Sequence, residues 1–291
     1  MVSPTLMDVS KTRRMFPNRR DLIVRIERTW ALDAAAFATA LHEQDPSWGS
    51  QTFELGGGHV VLCGAGLYVN RALAFGLEQS VTVDDFAELE ARADALGVDA
   101  AVEITPVTDH SVSEIANGRH YRVDGFRTAH VRSLAEQIIG APDPSIVVER
   151  ADGELLEDWS ETTATGWGHT TSAARRASDA FSRAAAVIDQ HGFVIALDSQ
   201  DRRPLGCASL TIRDGIATLG GMSTIPSERG RGVQGVLINR RLRFGQDAGC
   251  DLATSSTVPG GGSERNLARA GFCPLYDKIT LVRSATTQSS A

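Results

Sequence analysis

Residues Arg229-Gly230-Arg231-Gly232-Val233-Gln234-Gly235 bring three glycines and two arginines into one short stretch. An apolar, β-branched run from Gly215 to Ile225 precedes them and ends at Pro226, and the amphipathic segment Val236 to Gln246 follows without a breaker. That order reads as strand, tight turn, helix, with glycines at the helix mouth. Glycine lets a backbone approach a ligand closely. The first helical turn has N–H groups with no intrahelical partner, at the positive end of the helix dipole. The chemistry such a mouth offers is the binding of an anion, a pyrophosphate for example.

The spacing selects among phosphate-binding patterns. No Gly-Lys-Ser/Thr ending follows Gly235, which excludes the Walker loop. Gly230, Gly232 and Gly235 match G-x-G-x-x-G formally. A dinucleotide fold also wants an acidic residue at the end of the next strand. The segment Asp251 to Val258 ends instead in Ser255, Ser256, Thr257 and Val258.

The run P-S-E-R-G-R-G-V-Q-G resembles the acyl-CoA loop of the GNAT superfamily of N-acyltransferases, with Gln234 where Gly or Ala is commoner. The resemblance extends from about Phe193 to Arg283 and includes Asn266 and the closing Gly271-Phe272. It implies acetyl-CoA as co-substrate, no metal, and transfer of an acetyl or other acyl group to the amine of a small molecule. It places the backbone of Met222, Ser223 and Thr224 on pantetheine. Arg229, Gly230, Arg231, Gly232, Val233, Gln234 and Gly235 then fall on the pyrophosphate, and Asn266 faces the cofactor. The alternative is a protein that binds acyl-CoA without catalysis.

Acyl transfer from a thioester needs the reactants held together, a proton taken from the ammonium, an oxyanion stabilised and a thiolate protonated. The tyrosine usual in the family's last helix is missing. Tyr276 is the nearest phenol and is the candidate acid. The segment Ile216 to Ile225 carries no carboxylate or histidine, so the base must come from elsewhere. Glu161, His169 and Asp179 lie in the helical region that shapes the acceptor pocket in this family. His191 reads as a helix cap. Ser255 and Ser256 either reach the acyl region or satisfy a strand edge.

The elements that must position these groups are legible around them. Ile146 to Arg150, Gly192 to Leu197, Leu205 to Ile212 and Ile216 to Ile225 read as strands, the last two joined by the Asp214-Gly215 turn. Glu154 to Thr163 and Ala173 to Gln190 read as helices. The first half carries a fainter copy. Ala100 to Ile104 and Pro106 match the strand that ends at Val258 and Pro259. Pro106 precedes Gly118 by 12 residues, and Pro259 precedes Gly271 by the same interval. Both copies close on a β-rich ending, Val123 to Ser133 and Leu275 to Ser284. Three matches in register indicate a duplication. The strand expected at Leu67 to Gly76 leads to no Arg-Gly-x-Gly but to Thr82, Asp84 and Asp85, so this copy keeps the fold and lacks the CoA site. Gly56-Gly57-Gly58 reads as a hairpin turn.

The fold expected is therefore α/β (α+β), two tandem GNAT-like domains, each a mixed, mostly antiparallel sheet flanked by helices. The boundaries are a basic tail at 1–20, the degenerate copy at 21–138, a linker at 139–145, the acyltransferase domain at 146–284 and a disordered tail at 285–291. A net charge of −7 argues against a nucleic-acid surface. No apolar run is long enough to span a membrane. The N-terminal residues carry no apolar signal core, and four scattered cysteines without a C-x-x-C pair suit a reducing, cytoplasmic setting. A homodimer is an allowed assembly.

Overall fold

The computed structural model describes residues 18–138 and 143–285. Most of the basic tail, the first four residues of the linker and the C-terminal tail beyond Ala285 lie outside them. Arg19 and Arg20 do not belong to a tail. They open helix α1, Arg19–Gln44, which then supplies an apolar stripe at helical spacing through Ile26, Trp30, Phe37 and Leu41.

The first half continues through β1 (Gln51–Leu55), β2 (Gly58–Leu62), β3 (Arg71–Leu73), α2 (Val83–Leu96), β4 (Ala100–Ile104), α3 (His110–Gly118) and β5 (Arg122–Ser133). The strand expected at Leu67 to Gly76 is only three residues long, because Gly64, Gly66 and Gly76 all take positive φ around it. The second half runs β6 (Ile146–Arg150), α4 (Leu155–Trp167), α5 (Ser172–Ala186), β7 (His191–Asp198), β8 (Pro204–Arg213), β9 (Ile216–Thr224), α6 (Val233–Asp247), β10 (Leu252–Thr257), α7 (Gly262–Arg269) and β11 (Cys273–Arg283). Asp214 and Gly215 form the β8–β9 turn with φ of 51° and 73°, the left-handed pair that a two-residue hairpin favours.

Both halves join one eleven-stranded sheet, in the order β1-β2-β3-β4-β11-β5-β10-β9-β8-β7-β6. Each half has one parallel pair, β3 with β4 and β9 with β10, flanking the helix between them. The other neighbours are antiparallel. The halves also trade their last strands. β5 pairs with β10, and β11 pairs with β4, while β5 and β11 pair with each other at the centre. The two copies are thus fused through a central exchange.

Helix α1 clasps this seam. Ile23 and Ile26 pack with Ala129, Val131, Ile216, Leu252 and Leu275. Phe37 and Leu41 pack with Trp159, Ala184 and Phe193 of the second half. Each such buried side chain contributes roughly 1.5–3 kcal/mol, so α1 is part of the core of both halves. Beneath it sits a buried polar group. Lys278 Nζ lies 2.6 Å from Glu103 and 3.4 Å from Glu27, Arg71 reaches Glu103 at 2.8 Å, and the Tyr276 hydroxyl donates to Glu27.

Candidate active site

The register of β9 creates the site. Ala208 faces Met222 and Leu210 faces Leu219, so Ser209 stands opposite both Gly220 and Gly221. This bulge bends β9. Glycine suits both positions: a Cβ on Gly220 would lie 2.5 Å from Ser209 Oγ, and one on Gly221 would press the Trp167 ring at 3.2 Å. Pairing with β10 covers only Ile216, Ala217 and Thr218. Beyond Thr218 the two strands part. Backbone carbonyls freed at the bulge are held by Arg241 of α6, whose Nη1 donates to Ser209 O at 2.9 Å and Gly220 O at 3.1 Å. Arg241 is fully buried without a carboxylate partner, and burial pulls its pKa down to about 9.

Two cavities open along the parted strands and meet at Trp167, Met222 and Ser263. The outer cavity, about 800 Å3, contains the helix mouth. Met222, Ser223, Thr224, Arg229, Gly230, Gly232, Val233, Gln234, Gly235 and Asn266 all line it. Gly232 is the N-cap of α6 at φ 82°, with no side chain capping the helix. A Cβ on Gly230, Gly232 or Gly235 would meet nothing within 4 Å, so the space before the mouth is open. Arg231 departs from its expected place. Its guanidinium turns away to Glu228 at 2.5 Å and Asp198 at 3.1 Å and does not line the cavity.

Arg265 and Arg269 of α7 line the outer cavity and were not anticipated. Their signal in the sequence is the i, i+4 spacing around Asn266. Arg229 bonds to Gly166 O, Arg265 to Gly260 O and Arg269 to Asn266 Oδ1, so all three guanidiniums contact neutral acceptors. Asn266 also bonds to Gln234. Thr224 Oγ1 is buried in this wall with no partner. An uncapped helix mouth, three guanidiniums bonded only to neutral groups and an orphan hydroxyl fit a polyphosphate carrying an amide-containing arm.

The inner cavity, about 590 Å3, draws on both halves. From the second half come Thr211, Thr218, Leu219, Arg241, Ser255 and Ser256, and from the first Trp30, Asp33, Tyr68 and Arg127. Asp33 stands on α1 with its Oδ1 accepting from Arg213 Nε at 2.6 Å. Its Oδ2 is buried without a hydrogen-bond partner. Burial raises the carboxyl to about 6 against the opposing pull of Arg213. Ser255 donates to Leu219 O at 2.9 Å, and Ser256 Oγ accepts from Arg127 Nε at 2.8 Å.

Tyr276, Glu161, His169 and Asp179, the residues expected to act on protons, line neither cavity. Tyr276 is buried on β11 among Ile23, Ile26, Ala129 and Val131. Burial and the neighbouring Glu27 carboxylate hold its phenol well above the usual range. Glu161 is exposed and bound to Arg175 at 2.6 Å, which keeps its carboxyl below the usual range. His169 packs edge-on against Trp167, centroids 5.6 Å apart. Asp179 accepts from Ser160 at 2.9 Å. His191 caps no helix: it opens β7, and burial lowers its ring to about 4.

A larger space of about 1,120 Å3 lies between α1 and the β1–β2 turn. On its rim Arg25 pairs with Asp251 and Arg28 with Glu78. No group of three or more His, Cys, Asp or Glu among the described residues could hold a metal ion. No helix among them is long and apolar enough to cross a membrane.

Residues 152–272 match the acetyltransferase (GNAT) family. The second half accordingly carries a GNAT acetyltransferase domain. Its fold is similar to that of a GCN5-related N-acetyltransferase from Kribbella flavida, with a TM-score of 0.62 at 15% identity over 88% of this chain and 97% of the other. A tandem GNAT protein from the clavulanic acid biosynthesis pathway aligns with a TM-score of 0.58 at 13% identity over 79% of each chain. A functionally unknown conserved protein from Staphylococcus epidermidis gives 0.59 at 11% identity over 84% of this chain and 97% of that one. At these identities the likeness is one of fold, and it extends across both halves. No curated protein sequence matches the chain.

Proposed function

We propose that the chain transfers an acetyl or similar acyl group from acyl-CoA to the amine of a small molecule. The observation that carries this reading is the meeting of two unlike cavities at Met222 and Trp167. One is built for a polyphosphate. The other holds a buried carboxylate with a free oxygen.

The helix mouth of α6 would hold the pyrophosphate through the N–H groups of Val233 and Gln234, with Arg229, Arg265 and Arg269 as counter-charges. Pantetheine would run along Met222, Ser223 and Thr224 toward the junction. Trp167 Nε1 already donates to Met222 O at 3.2 Å, so this indole guards the seam. The amine would enter from the inner cavity and attack the thioester carbonyl. A C–N bond forms, the C–S bond breaks, and Asp33 Oδ2 takes the proton from the ammonium, directly or across one water. A carboxyl near 6 is an effective base at neutral pH. The departing thiolate faces the open outer cavity, where solvent can protonate it.

The first half, in this reading, is a copy that has lost its own CoA site. Thr82 and Asp85 close its helix mouth with a reciprocal capping box. The buried, unpaired thiols of Cys63, Cys207 and Cys250 suit a reducing compartment such as the cytoplasm.

The test is release of free thiol from acetyl-CoA in the presence of a panel of small amines. Amine-dependent release supports the transferase. CoA binding with no release for any amine would leave an acyl-CoA-binding protein instead.

A further inference from the structure

We propose that the acceptor carries an acid group besides its amine, and that Arg127 holds that acid. This rests on the transferase reading above and specifies the substrate class of its inner cavity.

Arg127 projects from β5 into the inner cavity, half-buried. Two of its nitrogens are fixed on one residue, Nε on Ser256 Oγ at 2.8 Å and Nη2 on Ser256 O at 2.9 Å. That grip orients the guanidinium plane and leaves Nη1 unspent. The nearby acid is already engaged: Glu103 is held by Arg71 at 2.8 Å and Lys278 at 2.6 Å. Among the described residues Arg127 forms no ion pair. Burial pulls its pKa below the usual guanidinium value, the mark of a charge held without full compensation.

The charge count of the wall points the same way. Asp33 is balanced by Arg213. Among the described residues neither Arg127 nor Arg241 has an ion-pair partner of its own, since Glu103 near Arg127 is held by Arg71 and Lys278 and Arg241 bonds to carbonyls and the Met222 sulfur. A simple alkylammonium would enter a cavity that is positive on balance. An amine with a carboxylate or phosphate group would set its ammonium at Asp33 and its acid at Arg127, and both buried charges would gain partners. Trp30, Tyr68 and Trp167 supply apolar walls for the stem between them.

The experiment compares matched pairs as acceptors with acetyl-CoA and the full chain: β-alanine against ethylamine, γ-aminobutyrate against propylamine, and phosphoethanolamine against ethanolamine. The acid-bearing member of at least one pair should show the higher kcat/KM, by tenfold or more. The carboxylate and phosphate pairs tell the two acids apart. In Arg127→Gln that preference should collapse through KM, with CoA affinity retained as the sign of an intact fold, and Arg127→Lys should restore part of it. Equal use of both members of every pair, or preference for the neutral amines, overturns the inference and leaves the transferase standing. If CoA binds and no amine is acylated, the transferase reading fails. Binding of the same pairs to the CoA-loaded protein then decides this inference alone, and equal or absent binding overturns it.

Discussion

Asp33, which lines the inner cavity, meets Arg213 at 2.6 Å through one carboxylate oxygen, and its second oxygen is buried with no hydrogen-bond partner among the described residues. One oxygen is anchored by the second half of the chain, and the other is left for whatever enters. In the function proposed, the pair orients a base on α1 toward the cofactor site at α6.

Asp33→Asn keeps the shape of the side chain and removes the proton acceptor. It should lower kcat/KM for the amine by about a hundredfold to ten-thousandfold, with acetyl-CoA affinity preserved. The wild-type profile should rise with pH through about 6 to a plateau, since the base acts only when ionised, and that limb should vanish in the variant. Stability has the opposite sign. The folded carboxyl titrates above its ordinary range, so its favourable contribution is complete in acid and declines as pH rises through about 6. A variant with wild-type turnover in single-turnover assays would remove Asp33 from the chemistry.

Gly235→Asp tests the helix mouth without straining the backbone. Gly235 lies inside α6, and a Cβ there meets nothing within 4 Å. An acid in a first turn favours the helix, so the fold should hold. Calorimetry should show CoA affinity reduced more than tenfold by charge repulsion, and much less by Gly235→Ala. Undiminished affinity in Gly235→Asp would separate this helix mouth from phosphate binding.

Calorimetry should also find one CoA per chain. The α2 mouth has Thr82 Oγ1 on the Asp85 N–H at 3.2 Å, Asp85 Oδ2 on the Thr82 N–H at 2.7 Å, and Asp84 beside them. Two of its N–H groups are closed by the capping box, and its charge is negative. Two equivalent sites would contradict the loss of the first copy's site.

Tyr276→Phe removes a buried hydrogen bond to Glu27. Urea unfolding should show a loss of about 1.5–3 kcal/mol, the scale of a bond to a charged group. Turnover should be unaffected, because the phenol lines neither cavity. A large fall in kcat with stability unchanged would return the phenol to the chemistry.

The outer cavity was largely readable because its central parts are contiguous. Proline, turn, glycines and helix follow one another from Pro226 to Gly235, and local backbone geometry is what binds a phosphate. The direction of the Arg231 side chain was not readable, because one of its partners, Asp198, lies on β7 far away in the chain. The inner cavity was not readable. Trp30 and Asp33 stand on α1, Tyr68 precedes β3 and Arg127 stands on β5, and only the packing of α1 and the pairing of β5 with β10 bring these distant segments to one cavity. A signal for Asp33 did exist: with Ile26, Trp30 and Phe37 it falls at i, i+4, i+7 and i+11, an acid on the buried stripe of a helix.

The strand exchange also divides what mutation can reach. Every residue lining the outer cavity lies between Gly166 and Arg269, whereas the inner cavity borrows four residues from the first half. In the function proposed, changes at Trp30, Tyr68 or Arg127 alter which acceptor is accepted and leave the CoA grip as it was. Donor and acceptor recognition are then separate modules of one sheet, each open to change without the other.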